Sequence, residues 1–320
     1  MQAAAIDRFG GAEEIKSRDM DMPKPEPGEV LIRIDTAGVG AWDPYVRDGQ
    51  YFKEVGGEPR FPFVLGVEAA GVIEALGEGV EGFSKGQPVY TYSEDMQKGG
   101  FYAEYATVKA DLVASLPKGL ELEAAGAMPA DAITALCGLE ALDLEPGETL
   151  AIFGASGGIG HIALQLAQRM GAKVLAIASG NDGVELVRRL GADAAVDGHG
   201  NGVAKAVKEF APDGLDAALV TASDKSLGPV LEALHRGARI AFPHGVEPEP
   251  KAPRGVKIEA YDGESTPERL ERLNRLIEKA PFHVHVSARY RLDQAAEAHR
   301  AVEKHHLGKI ALKIAPDSAH

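Results

Sequence analysis

Seven residues, Gly154-Ala155-Ser156-Gly157-Gly158-Ile159-Gly160, combine types and spacing suited to cradling an anion. They follow an apolar run, Thr149-Leu150-Ala151-Ile152-Phe153. They open a segment in which Ile159, Ile162, Ala163, Leu166 and Met170 fall at i, i+3, i+4, i+7 and i+11. The pattern predicts strand, glycine turn and helix. Glycines serve there because the turn is tight, a pyrophosphate must approach bare backbone, and the helix packs on the strand with its N-terminal N–H groups facing the anion. With Gly171 ending the helix ahead of a second strand, the stretch predicts a dinucleotide site.

The next strand reads Lys173-Val174-Leu175-Ala176-Ile177-Ala178-Ser179-Gly180-Asn181. NAD-specific sites usually place an acid about 20 residues beyond the turn to hold the ribose hydroxyls. Ala178 stands there instead, which leaves room for a 2'-phosphate, with Ser179 and Asn181 as hydrogen-bond donors. The reading favours NADPH and keeps NADH as the alternative. Phe242, Pro243 and His244 follow a later strand whose crossing should border the nicotinamide in this topology.

The surrounding texture predicts what positions these residues. Before residue 110, short strands cut by glycine and proline are expected over 28–35, 69–76, 88–92 and 102–108, a spacing that suggests a small, irregular β-barrel. From about residue 120, helices over 121–127 and 131–142 precede a β-α alternation. Strands are expected over 174–178, 194–196, 216–221 and 239–242, with helices over 183–190, 203–210 and 227–234. Such alternation argues for a parallel sheet covered on both faces. The tail, with a strand over 283–289, a helix over 292–303 and a strand over 309–314, returns to the first style. The fold expected is therefore α/β, a doubly wound Rossmann sheet plus an irregular β-barrel domain. The barrel takes residues 1–117 and 263–320, and the Rossmann domain 118–262.

Composition bounds the function. A formal charge of -14 with acids spread along the chain argues against a nucleic-acid footprint, which needs clustered Lys and Arg. Cys137 is the only cysteine, so no internal disulfide or multi-thiolate site can form. The first residues show no signal-like apolar run, and no stretch of 18 apolar residues occurs, so a cytoplasmic protein without a membrane partner is expected. The alternation Val256-Lys257-Ile258-Glu259-Ala260 reads as an edge strand open to a second copy, giving an expected homodimer.

Taken together, the chain resembles the medium-chain dehydrogenase/reductase superfamily, and within it the zinc-free quinone oxidoreductases related to zeta-crystallin. The resemblance rests on Ala37-Gly38-Val39 with Asp43, Tyr45, Arg47 and Gly49; on Gly66-Val67-Glu68-Ala69-Ala70-Gly71; on Gly99-Gly100 with Ala103-Glu104-Tyr105; on Ala132-Ile133-Thr134-Ala135; and on the 154–160 turn, Gly191-Ala192-Asp193 and Gly308-Lys309-Ile310. It implies a GroES-like first domain and hydride transfer to a quinone or other α,β-unsaturated carbonyl. An enoyl thioester reductase or a non-catalytic NADPH-binding protein on the same scaffold are the alternatives.

Where alcohol dehydrogenases place zinc ligands, this chain has Gly40, Val67 and Ala130, none of which can bind a metal. His283 and His285, expected on one strand face, and His305-His306 offer only weak substitutes, so no metal is expected. Without a Lewis acid, an electrophile activated by conjugation suits the site better than a simple carbonyl. The resemblance further implies a substrate-lining segment containing Trp42, Asp43 and Tyr45. Tyr45 is read there as oxyanion donor or packing residue, and Trp42 as aromatic wall or buried core. Thr134 faces the nicotinamide or bonds its own helix backbone; Lys309 reaches the pyrophosphate or is solvated at the surface; Glu68 holds the site together by hydrogen bonding. Relatives commonly carry a phosphate-pairing lysine where this chain has Gly183, with Arg188 or Arg189 as possible compensation.

Overall fold

The computed structural model describes residues 1–57, 59–94 and 99–314; the last residues of the returning segment, 315–320, lie outside the described residues. The chain forms two compact units, one of Met1–Ala130, Ser265–Glu271 and Val284–His320, the other of Asp131–Glu264 and Arg272–His283.

The first unit begins with β1 (Gln2–Ile6), β2 (Lys16–Asp19) and β3 (Glu29–Val39), then two short helices, α1 (Trp42–Arg47) and α2 (Gln50–Val55). It continues through β4 (Phe63–Val64), β5 (Glu68–Leu76), β6 (Pro88–Tyr92), β7 (Tyr105–Lys109), β8 (Val113–Ser115) and α3 (Leu122–Ala127). The strand expected over 28–35 extends to Val39 because it is central: β7 pairs with Glu29 to Arg33, β5 with Val30 to Ala37 and Ile310 to Lys313 with its far end, and nearly every residue is buried. Neighbours on both faces replace the simple apolar-polar alternation.

The second unit carries α4 (Pro129–Leu142), β9 (Thr149–Phe153), α5 (Gly158–Arg169), β10 (Lys173–Ala178), α6 (Gly180–Arg189), β11 (Ala194–Asp197), α7 (Val203–Phe210), β12 (Leu215–Val220), α8 (Gly228–Glu232), β13 (Leu234–Pro243) and β14 (Lys257–Tyr261). Its six strands form a parallel sheet in the order β11-β10-β9-β12-β13-β14. The order reverses between β9 and β12, so the carboxyl end of β9 lies at the switch point where open parallel sheets bind ligands. Ala151, Leu175, Ala218 and Ile240, one from each of four strands, belong to one buried cluster with Val203, Val207 and Val230. The helix expected over 227–234 is shorter, because Leu234 already pairs with Leu215 as the first residue of β13.

The chain ends with α9 (Pro267–Ile277), β15 (Val286–Arg291), α10 (Ala295–Val302) and β16 (Lys309–Lys313). Sequence reading had no helix over α9, although Leu270, Leu273, Leu276 and Ile277 follow a helical period and are buried. β15 starts at Val286, three residues later than expected. The backbone N–H and C=O of His283 are taken by the side-chain amide of Gln165 at 3.0 and 2.9 Å, so that residue makes no ladder bonds and shares no strand face with His285. In the first unit the order β15-β16-β3-β5-β6-β8, with β7 also on β3, makes a seven-stranded sheet beside a three-stranded one, β2-β1-β4. The tail thus completes the sheet begun by the first third of the chain: Ile310 to Lys313 pair antiparallel with Val39 to Thr36.

Candidate functional site

The glycine turn closes on itself. Gly154 adopts a φ of +85°, and the N–H groups of Gly154 and Ala155 both donate to Ile177 C=O, at 3.1 and 2.9 Å. A Cβ on Gly160 would stand 2.2 Å from the Gly154 carbonyl oxygen, so no other residue fits there without moving the turn. A Cβ on Gly157 would meet nothing nearer than 3.5 Å, which leaves that face of the turn open. Gly157 is the N-cap of α5, and the first-turn N–H groups of such a helix have no partner within it. Open backbone, free first-turn donors and the positive end of a 12-residue helix fit a pyrophosphate.

Four side chains brace this turn. Ser156, 3% exposed, accepts from Ser179 N–H through Oγ at 3.1 Å. His161, fully buried, donates from Nδ1 to Gly157 C=O at 2.8 Å. Gln165, one turn on, donates to His161 C=O at 3.0 Å. Thr221, just past β12, donates from Oγ1 to Phe153 C=O at 2.9 Å. Sequence reading missed His161, Gln165 and Thr221. The signal for the first two was available: polar residues four apart inside an otherwise apolar helix imply paired, buried roles.

At the end of β10, Ala178 is buried in the position where an acid would mark NAD. Ser179 Oγ lies 2.8 Å from His199 Nε2, and Asn181 is exposed in the first turn of α6. Gly183 explains the missing lysine: a Cβ there would be 2.8 Å from Ser156 Oγ, so a side chain would push against the brace of the turn. Arg188 donates to Ala195 C=O at 3.5 Å. Phe242 and Pro243 are buried at the carboxyl end of β13, and His244 Nδ1 lies 2.9 Å from Asp262 Oδ1. Thr134, half-buried on α4, packs against Gly263, whose Cβ would be 2.2 Å from Thr134 Oγ1.

Lys309 belongs to the first unit, and it is not solvated. It is 2% exposed, and its Nζ donates to Glu68 Oε1 at 2.9 Å; Glu68 is 1% exposed. The other oxygen of Glu68 accepts from Ala130 N–H at 2.7 Å, and a Cβ on Gly38 would collide with Glu68 Oε1 at 2.2 Å. Asp43, 1% exposed, accepts from Gly40 N–H at 2.8 Å. A Cβ on Gly40 would be 3.7 Å from Lys309 Nζ and 3.9 Å from Asp43 Oδ2. Glu68 therefore joins the Ala130 backbone to the Lys309 ammonium, beside which Gly40 lies. Buried carboxylates need a positive charge nearby, and Lys309 supplies it to Glu68. The Tyr102 hydroxyl is held well above its ordinary pKa, first by burial and then by Asp43 and Glu68.

Trp42 and Tyr45 share α1 and pack with ring centroids 5.1 Å apart, tilted by 40°; Tyr51 lies 5.6 Å from Trp42. Trp42 is 38% exposed, so it is not core. Tyr45 is hydrogen-bonded to Glu54, and that bond, with smaller contributions from desolvation and nearby acids, pushes its pKa up to about 12. Arg47 anchors α1 from beneath, donating to Gly10 C=O at 3.0 Å and to Glu303 at 3.1 Å and meeting His299 Nδ1 at 3.3 Å. Burial, reinforced by Arg47, drives the His299 pKa down to about 3, so its Nδ1 is the acceptor.

Among the described residues, no three His, Cys, Asp or Glu side chains group as a metal site, and no helix is long and apolar enough to cross a membrane. Residues 26–118 match the alcohol dehydrogenase GroES-like domain, and residues 158–253 match the zinc-binding dehydrogenase family. The chain is 30% identical over 316 residues to the quinone oxidoreductase of Sus scrofa, covering 94% of each protein. It belongs to the medium-chain dehydrogenase/reductase superfamily, in the quinone oxidoreductase branch. Solved structures agree on the fold. An NAD-dependent alcohol dehydrogenase superposes with a TM-score of 0.88 at 28% identity, covering 98% of this chain and 100% of that one. A mycobacterial protein complexed with NADPH gives a TM-score of 0.81 at 28% identity, covering 98% and 99%. The chain is accordingly an oxidoreductase with a nicotinamide-cofactor fold.

Proposed function

We propose that the protein is an NADPH-dependent reductase of quinones or α,β-unsaturated carbonyls that works without a metal ion. The observation carrying this reading is Lys309. The positions that resemble zinc-ligand positions bear Gly40, Val67 and Ala130, and the lysine's ammonium pairs with Glu68 in the space beside them. An electrophile whose negative charge is delocalised by conjugation suits a site with no Lewis acid.

In this proposal the 154–160 turn and the α5 N-terminus hold the pyrophosphate, Ser179 and Asn181 serve the adenosine ribose, and Thr134, Phe242, Pro243 and His244 border the nicotinamide. Bound there, the cofactor supplies the hydride; the protein contributes orientation and electrostatics. Trp42 and Tyr45 offer an aromatic face to a planar acceptor. Tyr45, which shares a hydrogen bond with Glu54, or water serves as donor to the oxyanion. Asp43 fixes the backbone of Gly40 ahead of α1 and has no contact to offer a substrate carbonyl in its ionised form. Lys309, engaged with Glu68, does not serve the pyrophosphate.

Support for NADPH comes from Ala178 and from the NADPH-complexed mycobacterial relative. The proposal includes a cytoplasmic homodimer, paired through β14, whose outer edge carries Ile258 at 40% exposure; light scattering at twice the chain mass supports it, and at one chain mass refutes it. The function is tested by following NADPH absorbance with 1,4-naphthoquinone, methyl vinyl ketone and a crotonyl thioester. Oxidation with the first two is expected, and its absence with all three at micromolar enzyme overturns the reading.

A further inference from the structure

Beside the Ser179–His199 contact lies a cleft of about 830 Å³, lined by Gly198, His199 and Asn201 from the end of β11 and by Asp224, Lys225 and Ser226 from the segment after β12. A cleft between those two segments overlies the carboxyl ends of β10 and β9, the adenosine side of the switch point. Its local carboxylates are occupied by backbone donors. Asp197 Oδ1 accepts from Gly180 and His199 N–H, both at 3.0 Å; Asp182 accepts from Gly183 N–H at 2.9 Å; Asp224 accepts from Ser226 N–H at 2.6 Å. The imidazole of His199 and the ammonium of Lys225 line the cleft with Asp224, and the Ser179 hydroxyl adjoins it through His199.

We propose that His199, with Ser179 and Lys225, reads the 2'-phosphate of NADPH, taking over from β11 the role that Gly183 denies to α6. The inference rests on the NADPH reading above and names the residue that decides between the two cofactors. Ser179 Oγ and His199 Nε2, 2.8 Å apart, can both turn donors toward one phosphate oxygen set, and Lys225 adds a full positive charge from the opposite wall. A ribose 2'-hydroxyl can use Ser179 but has no need of the imidazole or the ammonium. His199 is exposed, so replacing it leaves the fold intact.

The test is calorimetric binding of adenosine 2',5'-bisphosphate and of 5'-AMP to the full chain, wild type against His199→Gln and Lys225→Gln. Charge-assisted bonds predict a wild-type preference for the bisphosphate of at least about tenfold. His199→Gln should remove most of it with AMP affinity unchanged, and Lys225→Gln should remove a smaller part. No preference in the wild type, a preference retained in His199→Gln, or equal loss of both ligands each overturns the proposal. Turnover separates this from the reductase reading: quinone reduction with NADH and no bisphosphate preference sinks His199 and the NADPH preference while leaving the reductase, and bisphosphate preference without reduction of any conjugated acceptor sinks the reductase alone.

Discussion

Replacing Lys309 with Met isolates the claim that an ammonium neutralises the acids of the first unit. Lys309 Nζ and Glu68 Oε1 are 2.9 Å apart, with side chains 2% and 1% exposed. At that distance and an effective dielectric near 20, the gross attraction is about 6 kcal/mol. The net cost of deleting one partner is set by the uncompensated charge left behind, about 3–5 kcal/mol. Lys309→Met removes the ammonium from the Glu68 carboxylate, which keeps the N–H of Ala130. Adding Glu68→Gln removes the stranded charge, so the double variant should recover at least about 2 kcal/mol of that loss. The assay is urea denaturation followed by Trp42, the only tryptophan and a residue of the first unit. Lys309→Arg, which keeps the charge, should be milder than Lys309→Met. A Lys309→Met cost below about 1 kcal/mol, or a double variant no more stable than the single, would refute the reasoning.

Three further outcomes follow from the same geometry. His299 is held at about pH 3 in the folded protein, below its ordinary 6.5, so the unfolded chain binds more protons between those values. Its contribution is fully present above pH 6.5 and is lost as pH falls toward 3, at most about 1.4 kcal/mol per pH unit; His299→Gln should flatten that part of the Trp42-monitored stability curve, and an unchanged slope counts against it. Glu54→Gln should bring one tyrosine titration down from about 12 toward 10, seen by ultraviolet difference spectroscopy, while the pH profile of turnover between 6 and 9 stays unmoved by Tyr45. Gly160→Ala places a methyl group 2.2 Å from Gly154 C=O and should weaken NADPH binding at least about tenfold in a fluorescence titration, with little effect on first-unit stability.

The parts of this protein legible in the sequence are those governed by local pattern. The 154–160 turn, the β-α alternation after it and the edge strand near Ile258 announce themselves because periodicity and glycine placement are short-range properties. Lys309 was illegible for the opposite reason. A lysine after a glycine reads as solvated, and only the tertiary pairing of β16 with β3 brings it to Glu68, 241 residues away. His199 escaped notice because its neighbour Ser179 lies 20 positions earlier, across two strand ends. Gly183, which looked like a missing function, is a packing requirement of Ser156. The helix over Pro267–Ile277 was within reach of periodicity alone, since its leucines are correctly spaced and only its many charges obscured them.

The central claim is hydride delivery to a conjugated acceptor with no metal ion. Its most direct test uses chelator-treated enzyme and NADPH carrying deuterium at both C4 positions, with methyl vinyl ketone as acceptor and the product read by mass spectrometry. Deuterium on the β-carbon at an undiminished rate is the predicted result. Loss of turnover on chelation with recovery on adding zinc, or cofactor oxidation without deuterium in the product, would contradict it.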